Sequence, residues 1–206
     1  MSLFRRIKDL FKAAPGEQIV GYSVVELTSI FGNSFKQADV AKAHYPVFSS
    51  LGSVGIRACY SNFVIDRSEV DNFRSVIGAG FSLVDERAFT DLTIERYRNH
   101  AANENLILSI SYKEFNVATV RLVIDSAEVM DLITKHGFSV PPPWVAFEGY
   151  DPAWWGGEMQ GAQGYYNDHY FGAFFSRLEF AERNEFYGKY SATADWVLSL
   201  ESTLER

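Results

Sequence analysis

Residues 106–124 read LILSISYKEFNVATVRLVI, and two period-two runs stand inside them. Leu106, Leu108, Ile110 and Tyr112 alternate with Ile107, Ser109, Ser111 and Lys113, and Val120, Leu122 and Ile124 resume the pattern after Lys113-Glu114-Phe115-Asn116. Successive side chains of a strand point to opposite faces, so this alternation marks two strands, and the short polar connection between them marks an antiparallel hairpin. A sheet built around that hairpin sets the fold class.

Beyond the hairpin, Asp125 with Glu128 has capping-box spacing, Val129, Leu132, Ile133 and His136 form an apolar stripe, and Gly137 is placed to stop a helix. On the N-terminal side, Ser82 with Asp85 predicts a helix over 82–100, and Ser68 with Asp71 predicts another, with Gly78-Ala79-Gly80 as the break between them. A strand is expected over 55–65. Residues 18–31, rich in β-branched and aromatic types, read as a further strand, and Ser34 with Gln37 starts a short helix that runs to Pro46.

Pro141-Pro142-Pro143 ends regular structure and marks a boundary. Three parts result: an amphipathic N-terminal helix at 1–14, an α/β body at 16–140, and an aromatic-rich helical part at 144–206 packed on the body as one domain. The expected class is therefore α+β, an antiparallel or mixed sheet with flanking helices followed by a short aromatic C-terminal helical part.

At 206 residues with 47% hydrophobic side chains, the chain can bury a core without staples. Its single cysteine, Cys59, permits no intramolecular disulfide, and no apolar run is long enough to span a bilayer or serve as a secretory signal. A cytoplasmic protein is the expectation. The net charge of −7 is uneven, because residues 1–12 are basic while 144–206 carry ten acids against four bases. That balance argues against nucleic acid as a partner and favours a basic protein.

The helix at 1–14 sets Phe4, Ile7 and Phe11 among Arg5, Arg6 and Lys8, a pattern suited to an anionic membrane surface or an acidic partner. So short a basic helix binds lipid weakly alone, and packing on its own domain is the simpler alternative.

The C-terminal part holds all four tryptophans and half of the aromatic residues. Asp151-Pro152 predicts a helix from about residue 153, with rings nearly all round it and Gly157, Gly161 and Gly164 inside it, where glycines imply a closely approaching backbone or room for a flat ligand. Ser176 with Glu179 predicts the next helix, with Glu179–Arg183 and Glu185–Lys189 as i,i+4 pairs, and 192–200 predicts a last one. Trp154 and Trp155 are adjacent, so a helix would point them about 100° apart, which makes them candidate interface anchors. Glu179, Glu182 and Glu185 would supply the acidic surround.

Signatures of catalysis are few. The four histidines have no metal-ligand spacing, and no phosphate-binding loop, dinucleotide fingerprint or nucleophile elbow occurs, so no cofactor or metal is expected. The best enzymatic constellation is Asp168 and His169 with Tyr165 and Tyr166, a base beside hydroxyl donors, for which Glu148 or Asp151 could orient the imidazole. The expectation leans away from an enzyme. It is a protein-binding domain of the immunity-protein or inhibitor type that neutralises a basic toxin or effector; the alternatives are a small enzyme or ligand-binding protein at Asp168/His169, and a membrane-peripheral protein.

Overall fold

The 106–124 segment forms the two strands expected of it, at the centre of an antiparallel sheet. The computed structural model describes residues 18–32, 45–157 and 159–204. The predicted helix at 1–14, and with it Phe4, Arg5, Arg6, Ile7, Lys8 and Phe11, lies outside the described residues, as does most of the helix placed after Ser34.

The strands are β1 (Gln18–Ile19), β2 (Tyr22–Ser23), β3 (Ser49–Ser50), β4 (Cys59–Ile65), β5 (Ser82–Phe89), β6 (Leu92–Asn99), β7 (Glu104–Ser111) and β8 (Ala118–Ile124). The helices are α1 (Val24–Ile30), α2 (Val70–Gly78), α3 (Ala127–His136), α4 (Pro143–Ala146), α5 (Gly161–Tyr166), α6 (Gly172–Phe175), α7 (Phe180–Lys189) and α8 (Ala194–Leu204), with a π-helical segment Asn167–Phe171 joining α5 to α6. β1 and β2 form their own hairpin, and the main sheet runs β3-β4-β8-β7-β6-β5, antiparallel throughout. The fold is α+β, as the sequence predicts.

One face of the sheet is closed by α2 and α3. Phe63, Leu108, Val120 and Leu122 from the strands meet Phe73 of α2 and Ile133 of α3 in a fully buried layer. α3 ends at Gly137 in the left-handed conformation (φ 73°), as its sequence anticipates, but its N-cap is Ser126, whose hydroxyl accepts from Val129 N at 3.4 Å, in place of Asp125. α2 is likewise present, entered through a 3₁₀ turn capped by Asp66.

The opposite face is covered in two pieces. α1 and the β1–β2 hairpin bury Ile94, Ile107 and Val123 at one end, while Val64 and Val117 at the other end lie under the aromatic C-terminal layer. Tyr45 clasps β4 at that second end, its hydroxyl donating to Val64 O at 2.6 Å and accepting from Val64 N at 2.8 Å.

Four expectations are corrected. The strand at 18–31 is instead the small hairpin followed by α1. Val20 (φ 47°) and Gly21 (φ 71°) make the turn, and a capping box between Ser23 and Glu26 starts a helix despite the β-branched Val24 and Val25. The helix at 82–100 is the β5–β6 hairpin, turning at Thr90 (φ 53°) and Asp91. Its charges satisfy tertiary partners: Glu95 takes both Arg74 nitrogens of α2, at 2.8 and 3.1 Å, and Arg87 reaches Glu26 at 3.0 Å. β4 begins at Cys59, after a 3₁₀ turn that Gly55 (φ 79°) terminates. The helix expected from residue 153 is a single 3₁₀ turn, Pro152–Trp154, capped by Asp151, and the long aromatic helix starts only at Gly161.

Burial raises the Asp125 carboxyl to about 6, with Glu104 adding to the effect, while its Oδ1 accepts from Asn105 N at 2.6 Å. A folded-state pKa above the unfolded value near 3.8 means that the native state binds the proton more tightly. Stability should therefore fall as pH rises from about 4 to 6, and Asp125→Asn should flatten that slope in urea denaturation series. Glu26, held at about 2 by hydrogen bonds from Ser23 and by Arg87 against an unfolded value of 4.5, contributes with the opposite sign and at lower pH, and above its unfolded value the slope belongs to Asp125.

Candidate functional site in the aromatic layer

The π-helical segment organises the C-terminal layer. Gly172 N–H bonds back to Asn167 O, five residues earlier, which inserts one residue into the helical turn and rotates the helix beyond it. Glycines make this possible: a Cβ on Gly164 would stand 2.7 Å from Met159 O, and one on Gly172 would stand 2.9 Å from Asn167 O. Tyr166 and Tyr170 then face the sheet, while Phe171 and Phe175 stack on each other at 5.1 Å and pack against Phe186 of α7. Tyr166, Tyr170, Phe171 and Phe175 are thereby enclosed, while Tyr165 stays exposed.

The outer side of this segment walls a cavity of about 340 Å3. Trp155 and Phe171 give it aromatic surface, Gly164 and Gly172 a flat wall, and Asp168 and Asn167 its polar groups. That volume lies within the range of small-ligand pockets. Of the glycines expected inside one helix, Gly164 alone sits within it; Gly161 opens it in the left-handed region (φ 63°), and Gly157 belongs to the preceding loop.

The two adjacent tryptophans have different environments. Trp155 is 5% exposed and meets Tyr150, Phe171 and Trp196 edge-on, whereas Trp154 is 68% exposed, with the edge of Tyr150 at 6.1 Å. The 3₁₀ turn and its extended exit at Trp155 send the two indoles apart without a helix. Trp154 is thus available to a partner and Trp155 is core.

Glu179, Glu182 and Glu185 are all exposed along α7. Glu179 is the N-cap in place of Ser176, and its backbone N–H donates to Glu182 at 2.7 Å. The expected i,i+4 pairs are replaced by tertiary ones. Arg183 donates to Glu201 of α8 at 2.9 Å, and Lys189 reaches Glu69 at 3.3 Å and Ser139 at 2.9 Å. With these bases drawn across to other elements, the outer row of α7 carboxylates is left acidic.

The enzymatic constellation does not assemble. His169 is exposed, stacked on Tyr165 at 3.9 Å with Nδ1 2.9 Å from the Tyr165 carbonyl, while Tyr166 is fully buried and donates to Pro141 O at 2.8 Å. Asp168 lies at the cavity, and Asp151 is occupied by Ala153 N at 2.9 Å. Burial pushes the Cys59 thiol up to about 11, away from thiolate chemistry. Among the described residues no group of three or more metal-ligating side chains could hold an ion, and no helix is long and apolar enough to cross a membrane.

The glycines of this segment should resist substitution. Gly164→Ala forces a methyl against a backbone carbonyl and should cost roughly 1–3 kcal/mol in chemical denaturation, whereas Gly157→Ala, whose added Cβ meets nothing within 4 Å, should cost far less.

Comparison with protein-family models, with curated proteins and with solved structures finds no match to this chain.

Proposed function

We propose that the chain is a non-enzymatic protein-binding domain that recognises a basic partner through its acidic aromatic C-terminal layer, in the manner of an immunity protein or inhibitor that neutralises a toxin or effector in the cytoplasm. The observation that carries this is Trp154, a large indole left 68% exposed next to a closed aromatic core. Phe180 at the head of α7 and Leu198 on α8 are similarly exposed, and Glu179, Glu182 and Glu185 add exposed carboxylates along α7 of the same layer. Exposed aromatic anchors within a charged surround suit interfaces in which the rings hold the complex and the charges speed encounter.

The cavity one residue beyond Trp154 favours a second reading, small-ligand binding, because it combines flat aromatic and glycine walls with the Asp168 carboxylate. In the binding-domain reading the same cavity receives a cationic side chain of the partner, with Asp168 as counter-charge.

Affinity purification of the tagged protein from its native cells, at low and moderate salt, is the direct test. A stoichiometric basic protein whose retention falls with salt is expected. Trp154→Ala should weaken that complex by more than about 2 kcal/mol with little change in melting temperature, and neutralising Glu179, Glu182 and Glu185 should slow association. Trp155→Ala should instead lower stability by about 3–5 kcal/mol. Undiminished binding by Trp154→Ala would move the interface elsewhere, and a clean monomer with no partner would sink the reading.

A further inference from the structure

Buried polar atoms without hydrogen-bond partners gather on one face of the sheet. Seven such side-chain atoms occur among the described residues, and six belong to Asn62, Arg96, Arg98, Ser109, Thr119 and Arg121. Strand register puts all six residues on the same face. Asn62 stands opposite Arg121, Arg121 opposite Ser109, and Thr119 two residues from Arg121. Arg96 and Arg98 stand opposite Ile107 and Asn105, which alternate in phase with Ser109. The C-terminal layer reaches this face where Asn62 donates to the Tyr170 hydroxyl at 3.0 Å.

Leaving one such group unsatisfied forfeits its hydration without return, and native proteins keep few of them. Ser109 is 1% exposed and Thr119 is fully buried, so neither hydroxyl turns to solvent. The deficit also has a sign. Arg96 Nε, Arg98 Nε and Arg121 Nη1 can only donate, the two hydroxyls can donate, and Asn62 Oδ1 alone is purely an acceptor. Asp85, opposite Arg96 on the same face, is already engaged by the Tyr22 hydroxyl and by Arg87, so the unmet need on this face is for further acceptors.

Charge points the same way. Arg121 gives its Nη2 to Glu114, leaving Nη1 buried and without a partner. Arg98 bonds the neutral Asn103 at 2.9 Å, and among the described residues no carboxylate pairs with Arg96 or Arg98. Three guanidinium groups with unused donors thus share one face of a chain whose net charge is −7.

We infer that this face binds a small oxyanion, the phosphate or carboxylate group of a small molecule, gripped by Arg121 Nη1 and the hydroxyls of Ser109 and Thr119, with Arg96 and Arg98 extending the basic track. A guanidinium with one edge paired and the other free suits this chemistry. Tyr60, two residues before Asn62 on the same face of β4, adds a donor hydroxyl. Tyr165, exposed and stacked with His169, has its ring 6.0 Å from that of Tyr170, the partner of Asn62, and forms the rim.

The test is calorimetric titration of the full chain with inorganic phosphate and, separately, with citrate, together with thermal unfolding, for the wild type and for Ser109→Ala/Thr119→Val. Saturable binding of one anion by the wild type is expected, at least tenfold weaker in the double variant. The unliganded double variant should melt at or above the wild-type temperature, because orphaned hydroxyls have been removed. Preference for phosphate assigns a phosphorylated ligand, and preference for citrate a carboxylate one. Arg121→Lys, which keeps the charge but loses the two-edged donor, should also weaken binding at least tenfold. Failure of the wild type to bind either anion saturably, or equal binding by the double variant, would overturn the inference. So would a double variant that cannot fold, since a hydroxyl required for folding is not an orphan.

Discussion

Burial of β7 and β8 on both faces is the constraint on which the rest of the architecture depends. These strands occupy the middle of the sheet, and Ile107, Leu108, Leu122 and Val123 are all fully buried although successive residues point to opposite sides. The face carrying Leu108 and Leu122 is closed by two helices of ordinary length, α2 and α3. The other face is closed piecemeal, because α1 has seven residues, about 10 Å of helix, and covers one end of the strands only. The aromatic layer is what buries the opposite end.

That requirement accounts for much of the composition of the C-terminal third. A chain that must cover a sheet and also close on itself needs large side chains in several directions, and the π turn supplies the directions by rotating the phase between Tyr170 and Phe175. Trp155 then serves as a hub among Phe147, Tyr150, Phe171 and Trp196. The edge-on pairs with Tyr150, Phe171 and Trp196 each add roughly 0.5–1.5 kcal/mol beyond their buried area. The layer's bases are spent on internal ties, Arg183 to Glu201 and Lys189 to Glu69, and its acids face outward.

The elements legible in the sequence are those whose local pattern and tertiary environment agree. The β7–β8 hairpin alternates because one face is wholly apolar, and α3 carries both its stripe and its terminal glycine. β5 and β6 are opaque for the converse reason. As outer strands they expose charges on both faces, and Ser82, Asp85 and the neighbouring acids and bases imitate a capped, solvated helix until Arg74 and Glu26 are known to lie beside them. Residues 18–30 mislead in the other direction, where β-branched propensity is overruled by a Ser23–Glu26 capping box and a two-residue turn. At the candidate site, sequence locates the aromatic acidic region and its glycines. It does not separate Trp154 from Trp155, because that depends on a 3₁₀ turn ending between them. Nor does it single out Arg121, although an arginine within an apolar strand run is a visible anomaly.

The two candidate binding regions meet at one element. Asn167 and Asp168 of the π segment face the glycine-walled cavity, while Tyr170, two residues on, holds Asn62 on the polar sheet face. Two residues of helix turn the chain by roughly 160–200°, so Asp168 and Tyr170 fall on opposite sides of the segment, acid outward and hydroxyl inward. The π turn then resets the phase for Phe171 and Phe175, which join the aromatic core. Its dependence on Gly164 and Gly172, whose Cβ positions are closed by backbone carbonyls, ties the chemistry available on both sides to two residues that carry no chemistry themselves.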